Sequence, residues 1–477
     1  MGAAVVAAYH RGVIPLETIA AGRPTPAAGR AVALVLCQWS EASPDSPPIW
    51  NVPITTPLLA RVLREGGWGV NLFDTRLFAR PAGAGLGALA DAVARAVLDT
   101  RPAVVGFSFL SPSASLARAV AVRVRELSPE TALVAGGTHC TVAPTVLTDC
   151  YDLVIRGEGE EEFPALASRV ADGWRPVGAD RVVRTRTADL SRSAVTVGAD
   201  WAPYTAVQRG VIPPPKAALL ELGRGCPFRC TFCEVADKDN FPAARRARPP
   251  EVVVAEARRW RDEYGCKYFL FIDSIATTAP GFATTFEALR RELDAPDIAI
   301  HLNSALPVFD EDVARVVSAH RGPVIVYFGM ETASDRLGRV VLKGKHQPAA
   351  TRRALDLCDR YGIDVGLNVI FGFDGETDAD RAATLRLLEA RRVFEPNPNI
   401  LNPLPGTPLY HSYRERGILR DPDDLSIWMA ARIRAAGCGP VSTVDYAAVL
   451  AAYDTAMTLR GSSRRGWPTW QSTPPAE

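Results

Sequence analysis

The chain has 477 residues, of which 47% are hydrophobic and 22% charged, with 54 basic residues against 53 acidic ones. That balance excludes a disordered chain and gives no electrostatic reason to expect a nucleic-acid partner, while no apolar run approaches the ~20 residues of a membrane span. Nine scattered cysteines and no secretory leader point to a reducing cytoplasm, where thiols serve as ligands rather than as a disulfide framework.

The length suggests about three domains. After an N-terminal extension, residues 1–30, strand-like apolar runs fall at Ala31–Cys37, Gly69–Asp74, Ala103–Ser108, Thr131–Ala135 and Asp152–Ile155. Helical periodicity separates them at Pro57–Glu65, Leu86–Leu98, Ser113–Leu127 and Val142–Leu147, and Glu160–Val170 follows the last. Strands apolar on both faces, alternating with helices, predict an α/β domain over 31–171 with a doubly wound, Rossmann-like parallel sheet. Ligands of such sheets bind beyond the carboxyl ends of the strands. Gly106 and Ser108 stand at one such end, Gly136, Gly137, Thr138 and His139 at the next, and Gly157, Glu158, Gly159 and Glu160 at the third. Glycine there lets backbone approach a ligand, although a tight turn needs glycine as well.

Residues 172–216 are basic and irregular and end in Pro213-Pro214-Pro215, which predicts a linker. Alternation resumes over 217–410, with strands expected at Ala218–Leu222, Tyr268–Asp273, Ile298–Asn303, Pro323–Gly329, Val365–Phe371 and Asn399–Asn402. The helices expected between them are Pro250–Tyr264, Phe282–Leu293, Glu311–Ala319, Pro348–Tyr361 and Asp378–Arg391. Six such units suit a partial, TIM-like (β/α)6 barrel with its chemistry at the C-terminal strand ends. From about Pro408 the pattern fades into a short C-terminal region, 411–477, with a disordered tail expected over the final dozen residues. Trp428 or Tyr446 from that region could line the site, although aromatic residues there are more often core.

The loop after the first barrel strand reads Gly225-Cys226-Pro227-Phe228-Arg229-Cys230-Thr231-Phe232-Cys233. Three thiolates spaced in this way suit three irons of a 4Fe-4S cluster, with the fourth iron open to a substrate. Structural zinc is the competing reading, but zinc takes four ligands, usually as two paired knuckles, and the remaining cysteines lie far off in sequence. Cys226, Cys230 and Cys233 are therefore the candidate catalytic and metal-binding residues.

Those cysteines, with Phe232 before the last, resemble the signature loop of the radical S-adenosylmethionine superfamily. The resemblance continues through Phe328-Gly329-Met330-Glu331-Thr332, Phe371-Gly372-Phe373-Asp374-Gly375-Glu376-Thr377 and Asn402-Pro403-Leu404-Pro405-Gly406-Thr407-Pro408, so that it covers about 215–410. Asp374 departs from the family, which more often has proline there. The resemblance implies that S-adenosylmethionine chelates the open iron and is cleaved by one electron to a 5′-deoxyadenosyl radical. It places Phe232 near the adenine and makes Asp273 and Glu331 candidates for the amine or the ribose, ordinary strand-end hydrogen bonding being the alternative for both. An external low-potential donor of the flavodoxin or ferredoxin type would supply the electron.

The first domain, through Gly136-Gly137-Thr138-His139 and Asp152-Leu153-Val154-Ile155-Arg156-Gly157-Glu158-Gly159-Glu160, resembles the cobalamin-binding domain of the cobalamin-dependent branch. By that resemblance the glycines and Thr138 admit the nucleotide tail, while Gly106 to Leu110 and the loop Gln38 to Trp50 line the corrin against the barrel. No histidine has the Asp-x-His-x-x-Gly context of a cobalt ligand, and His139 is expected to make a turn or tail contact. The expected activity is methyl transfer from methylcobalamin to carbon, less often phosphorus, of a small-molecule or peptide natural-product intermediate. Ring contraction or cyclisation with the same cofactors is the first alternative. A methylthiotransferase with a second three-cysteine cluster is the second, since Cys37 and Cys140 would both sit at strand ends, although Cys150 falls after a helix on the opposite edge; a cobalamin- or cluster-based sensor comes last. Neither nucleic acid nor a membrane is expected as a partner.

Overall fold

Ala31–Cys37, with all seven residues buried, form β1 in the computed structural model of the chain. A strand apolar on both faces belongs inside a sheet covered on both sides, and β1 pairs in parallel with β2 (Gly69–Asp74) and β3 (Val104–Phe109). With β4 (Ala132–Gly136), β5 (Leu153–Arg156) and β6 (Val182–Arg184) the strand order is β2-β1-β3-β4-β5-β6. The order reverses between β1 and β3, the switch point where doubly wound sheets open a crevice. Helices α1 (Thr55–Glu65), α2 (Leu86–Leu98), α3 (Ala114–Leu127), α4 (Thr138–Val142) and α5 (Phe163–Ala171) cover the sheet. One core cluster joins Val32, Leu34, Val104, Val134 and Ile155 to Leu63, Phe163 and Leu166.

The structure describes residues 30–38, 53–78, 85–145, 149–193, 216–239, 241, 244–342, 347–391, 393–421 and 428–467. Among these no helix is long and apolar enough to cross a membrane. The extension 1–29, the polyproline segment and residues 468–477 of the expected tail lie outside the described residues. The chain divides into two units, 1–216 and 217–477.

Two expectations for the first unit change. The stretch 172–216 is not all linker, because Val182–Arg184 joins the sheet edge in register with Val154–Arg156. The helix expected at Val142–Leu147 is not found in the described residues 142–145: the helix here, α4, runs Thr138–Val142 and ends where the expected one would start, because Gly137 (φ 99°) turns the chain directly from β4 into α4.

In the second unit β7 (Lys216–Leu220), β10 (Cys266–Phe271), β11 (Ala299–Ser304), β12 (Val324–Glu331), β13 (Asp364–Phe371) and β14 (Glu395–Ile400) form a parallel sheet in the order β14-β13-β12-β11-β10-β7. β14 and β7 are its two edges, so the barrel is partial, as expected. Pro396 and Pro398 leave β14 short of amide donors, which suits an edge strand and discourages further pairing. A two-stranded antiparallel ladder, β8 (Gly223–Arg224) with β9 (Arg246–Ala247), stands apart. The outer helices are α6 (Pro250–Tyr264), α7 (Phe282–Leu293), α8 (Glu311–Ser318), α9 (Asp335–Val341), α10 (Pro348–Tyr361) and α11 (Asp378–Arg391).

The C-terminal region, where the sequence pattern fades, is helical. It forms α12 (Pro408–Glu415), α13 (Ala430–Ala436) and α14 (Tyr446–Thr458), and α14 packs on β14 and α11. Residues 461–467 then cross back to the barrel. Ser463 Oγ, the Arg464 amide and Trp467 Nε1 all donate to the Asp364 carboxylate at 2.5, 2.6 and 2.8 Å, at the start of β13. Trp467 stacks on Phe394 with centroids 5.6 Å apart and meets Tyr268 edge-on.

Candidate functional site

The cysteine loop is the excursion between β8 and β9. Gly223 makes the ladder possible, since a Cβ there would stand 2.1 Å from the Arg246 carbonyl oxygen. Asp273, just beyond β10, holds the entry to the loop: its carboxylate accepts from the Leu222 and Gly223 amides, each at 2.8 Å, and from Arg245 at 2.6 Å. Arg245 also donates to the Gly225 carbonyl at 2.8 Å, immediately before Cys226. Complete burial pushes the Asp273 carboxyl up to about 6, against the pull of Arg245 and the amide donors. Both Asp273 oxygens thus serve the chain itself, which is the strand-end role the sequence left open. Inside the loop, Lys238 donates to the Cys226 and Val235 carbonyls at 2.6 and 2.7 Å. At its far side Thr231 bonds Val341 at the end of α9, and the Leu409 amide at the start of α12 bonds the Thr231 carbonyl.

All nine cysteines are free thiols. Cys230 is buried, while Cys226 and Cys233 are partly exposed at the loop surface. An apolar shell of Leu337, Val341, Phe373, Leu401 and Leu409 surrounds Cys230, with Phe228, Phe232 and Cys233 packed against it. Phe232 meets Phe373 edge-on at 5.9 Å. Burial lowers the Lys238 pKa, and the thiols of Cys226, Cys233 and Cys230 pull it back up, so all three lie within electrostatic reach of one ammonium. Burial raises the Cys233 thiol, with smaller contributions from Cys226 and from Glu331. Glu331, at the end of β12, has φ 65°, and the strand register shifts between Gly329 and Glu331. A left-handed glutamate costs about 1–3 kcal/mol and persists where its surroundings over-determine it, often at a functional site.

The donor set fits a cluster. Three free thiols beside a half-buried cation, in a mostly apolar shell, suit ligands that must bind as thiolates. Among the described residues no three His, Cys, Asp or Glu side chains converge on a point where one ion could be shared. A single zinc needs that convergence, whereas cluster thiolates each take a separate iron.

Asp374 stands where the family more often has proline, and its backbone amide donates to Tyr413 Oη at 3.0 Å, a bond proline cannot make. Its carboxylate takes Arg416 at 2.6 Å and Thr443 at 2.5 Å, joining this turn to the C-terminal helices. Glu376 accepts from the Gly372 amide at 2.7 Å, and burial pushes its carboxyl up to about 7. Tyr446 is core: it is buried, and its hydroxyl accepts from the Val441 amide at 3.0 Å. Half-buried Trp428 is tied to Asn402, its amide donating to Asn402 Oδ1 at 2.7 Å.

In the first unit, the carboxyl ends of β1 and β2 are tied together by Thr75 Oγ1, which bonds both the amide and the carbonyl of Gln38. Residues 39–50 of the expected corrin-lining loop lie outside the described residues. Gly106 is a packing glycine, because a Cβ there would meet Leu34 and Phe163 at 2.9 and 3.0 Å. Ser108 lies beside Gly136 in the β3–β4 register. Gly137 passes so close to β3 that a Cβ would fall 2.6 Å from the Phe109 carbonyl oxygen, whereas Gly136 would meet nothing nearer than 3.9 Å. Thr138 opens α4. Gly157 (φ 118°) lies close to Thr185, and Glu158 accepts from the Ala188 amide at 2.7 Å. His139 is buried with Nδ1 2.9 Å from Ser111 Oγ, and among the described residues its Nε2 has no partner. Burial lowers its pKa to about 4, so the ring is neutral near pH 7. An open glycine edge at Gly136 and a buried, unsatisfied imidazole nitrogen, both at the carboxyl end of β4, fit a large ligand with polar groups on its tail.

Residues 220–388 match the Radical SAM superfamily and residues 52–167 match the B12 binding domain. An uncharacterized methyltransferase of Pyrococcus horikoshii is 26% identical over 332 residues, 67% of this chain and 71% of that protein. The anaerobic magnesium-protoporphyrin IX monomethyl ester cyclase of Cereibacter sphaeroides is 25% identical over 68% of this chain, which spans only 55% of the cyclase. Among solved structures, the radical S-adenosylmethionine methyltransferase TsrM from Kitasatospora setae, with cobalamin and a 4Fe-4S cluster bound, superposes with a TM-score of 0.63 at 18% identity, covering 83% of this chain and 76% of TsrM. The cobalamin-dependent S-adenosylmethionine radical enzyme OxsB gives 0.64 at 16% identity, covering 87% and 64%.

Proposed function

Since the chain is a cobalamin-dependent radical S-adenosylmethionine protein, with a B12 binding domain ahead of a radical SAM domain, we propose that it is a methyltransferase acting on carbon, less often phosphorus, of a small-molecule or peptide intermediate. The observation that carries the reading is the three-thiol loop, built by β8–β9 and gripped by Asp273, Arg245 and Lys238, on the same chain as a cobalamin-binding sheet. When bound, the cluster with S-adenosylmethionine supplies one-electron radical chemistry, and cobalamin supplies a transferable methyl group.

The chain's own residues have separable tasks. Cys226, Cys230 and Cys233 hold iron, and Lys238 offsets their negative charge. The shell of Phe228, Phe232, Phe373 and Leu401 limits water at the loop. Glu331, held in a strained conformation within electrostatic reach of Cys233, is in this reading the group that binds the amine or hydroxyls of S-adenosylmethionine. At the end of β4, Gly136 leaves space and His139 offers a neutral nitrogen to the cobalamin tail. An external low-potential protein serves as electron donor in this reading.

A second reading keeps both cofactors and replaces methyl transfer by cyclisation, and the similarity to the Cereibacter cyclase favours it. The test is anaerobic reconstitution with iron, sulfide and cobalamin, followed by S-adenosylmethionine carrying a labelled methyl group. Both S-adenosylhomocysteine and 5′-deoxyadenosine are expected. Deoxyadenosine without S-adenosylhomocysteine overturns methyl transfer and leaves cyclisation. Cys230→Ala should lose the cluster's visible absorption and its deoxyadenosine together, while retention of both removes the cysteine loop from the chemistry.

A further inference from the structure

Inside the partial barrel the side chains lie in rows set by the strand register. One row runs Asn303, Tyr327, Gly366 and Glu395 across β11 to β14. Aromatic rings fill it: Tyr327 stacks on His301 at 4.2 Å and 8°, and His301 Nδ1 is 2.9 Å from Tyr268 Oη. Gly366 is needed there, since a Cβ would come within 2.6 Å of the Tyr327 ring. Behind these rings Trp467 closes on Tyr268 and Phe394. The lumen therefore has a solid floor.

Two residues nearer the carboxyl ends the register row is Gly329, Asn368 and Asn397. Gly329 contributes no side chain, so the two asparagines look onto open space, with Asn397 exposed and Asn368 half-buried. Asn397 Nδ2 donates to Asn368 Oδ1 at 2.7 Å. That bond uses one donor group and one acceptor, and it leaves the Asn368 NH2 and the Asn397 carbonyl oxygen side by side. Among the described residues neither remaining group has a protein partner. The result survives exchange of the amide atoms: if both side chains are flipped, the pair still leaves one NH2 and one carbonyl oxygen facing the lumen.

We propose that the Asn368–Asn397 pair is a substrate-recognition element for a neutral amide-type edge, with a donor and an acceptor adjacent as in a primary carboxamide or a lactam. The assignment rests on the functional reading above and names the substrate class for that site. A carboxylate presents only acceptors and leaves the Asn carbonyl unmatched, while an ammonium presents only donors and leaves the NH2 unmatched. A neutral amide satisfies both, as an asparagine side chain does when it reads the adjacent donor and acceptor of adenine. The aromatic floor below suits a flat or apolar body attached to that edge.

The test uses the reconstituted full chain and matched probes: N-acetyltryptophanamide against N-acetyltryptophan, and nicotinamide against nicotinate, with binding read by ligand-observed NMR. Each amide should bind about tenfold or more tighter than its acid. Asn368→Leu and Asn397→Leu should each abolish that preference. Asn397→Asp, which keeps the shape but can only accept, takes up the Asn368 NH2 and leaves two acceptors at the edge; as a second variant it should bind each amide at least tenfold more weakly than wild type. Circular dichroism and cobalamin content matching wild type certify the fold of each variant. Equal binding of amide and acid, binding of neither, or an unchanged preference in the leucine variants overturns the proposal. The labelled-methyl assay fails or succeeds independently: amide preference without S-adenosylhomocysteine sinks methyl transfer alone, and the converse sinks only the recognition element.

Discussion

Asp273→Ala separates an anchoring role from a ligand role at the mouth of the barrel. The substitution removes the acceptor of two buried amides, Leu222 and Gly223, and the partner of Arg245, whose side chain is only 5% exposed. Each orphaned amide costs about 1–3 kcal/mol, and a buried guanidinium left unpaired costs about 3–5 kcal/mol. Allowing for water entering the vacated space, the sum is about 5 kcal/mol, the lower end of a whole domain's stability. In thermal unfolding of the full chain followed by tryptophan fluorescence, that corresponds to a fall of about 10 °C or more in the transition of the second unit. Asp273→Asn keeps an acceptor oxygen and should cost about half as much. Adding Arg245→Leu to Asp273→Ala removes the unpaired charge and should recover about 2 kcal/mol. A single variant that melts within 2–3 °C of wild type, about 1 kcal/mol on that scale, or a double variant no better than the single one, refutes the anchoring argument. Stability unchanged with S-adenosylmethionine binding lost would instead make Asp273 a ligand.

Three further outcomes are expected. Gly223→Ala forces a Cβ against the Arg246 carbonyl, so the β8–β9 ladder should open and iron bound per chain after reconstitution should fall severalfold; full iron content with normal stability contradicts the role of the ladder. Glu376, with its carboxyl raised from 4.5 to about 7, is better accommodated protonated, so its contribution is full below pH 4.5 and declines as pH rises through 7, by at most about 3 kcal/mol. Urea unfolding of wild type against Glu376→Gln across that window should show a pH slope that the variant lacks, and parallel slopes refute it. Trp467→Ala removes the stack on Phe394 and the bond to Asp364 and should cost about 2–3 kcal/mol, with faster proteolytic clipping after residue 460; unchanged clipping means that the strap does not hold the barrel floor.

The strands and helices of both units were legible wherever periodicity was strong. Leu86–Leu98, Pro250–Tyr264, Phe282–Leu293, Pro348–Tyr361 and Asp378–Arg391 occur with the expected bounds. The failures have local causes. β6 is three residues among arginines, too short to carry a pattern, and exists because β5 offers it a register. α14 carries alanine around its circumference and so lacks the polar face that marks a surface helix. Gly106 read as ligand-facing because a glycine at a strand end signals either close packing or close approach, and only the Phe163 ring tells the two apart.

The cysteine spacing alone identified the three-thiol loop and the chemistry it suits, because ligand type and spacing are written along one short segment. Alternating apolar runs likewise determined two α/β units, since burial on both faces of a strand leaves its trace in composition. What holds the loop was decided only in three dimensions. Lys238 reaches back to the Cys226 carbonyl, Arg245 bridges Asp273 to Gly225, and Asn368 meets Asn397 through the β13–β14 register. Each pairs groups that a ladder or a register brings together, and nothing in either partner's own neighbourhood along the chain encodes the other.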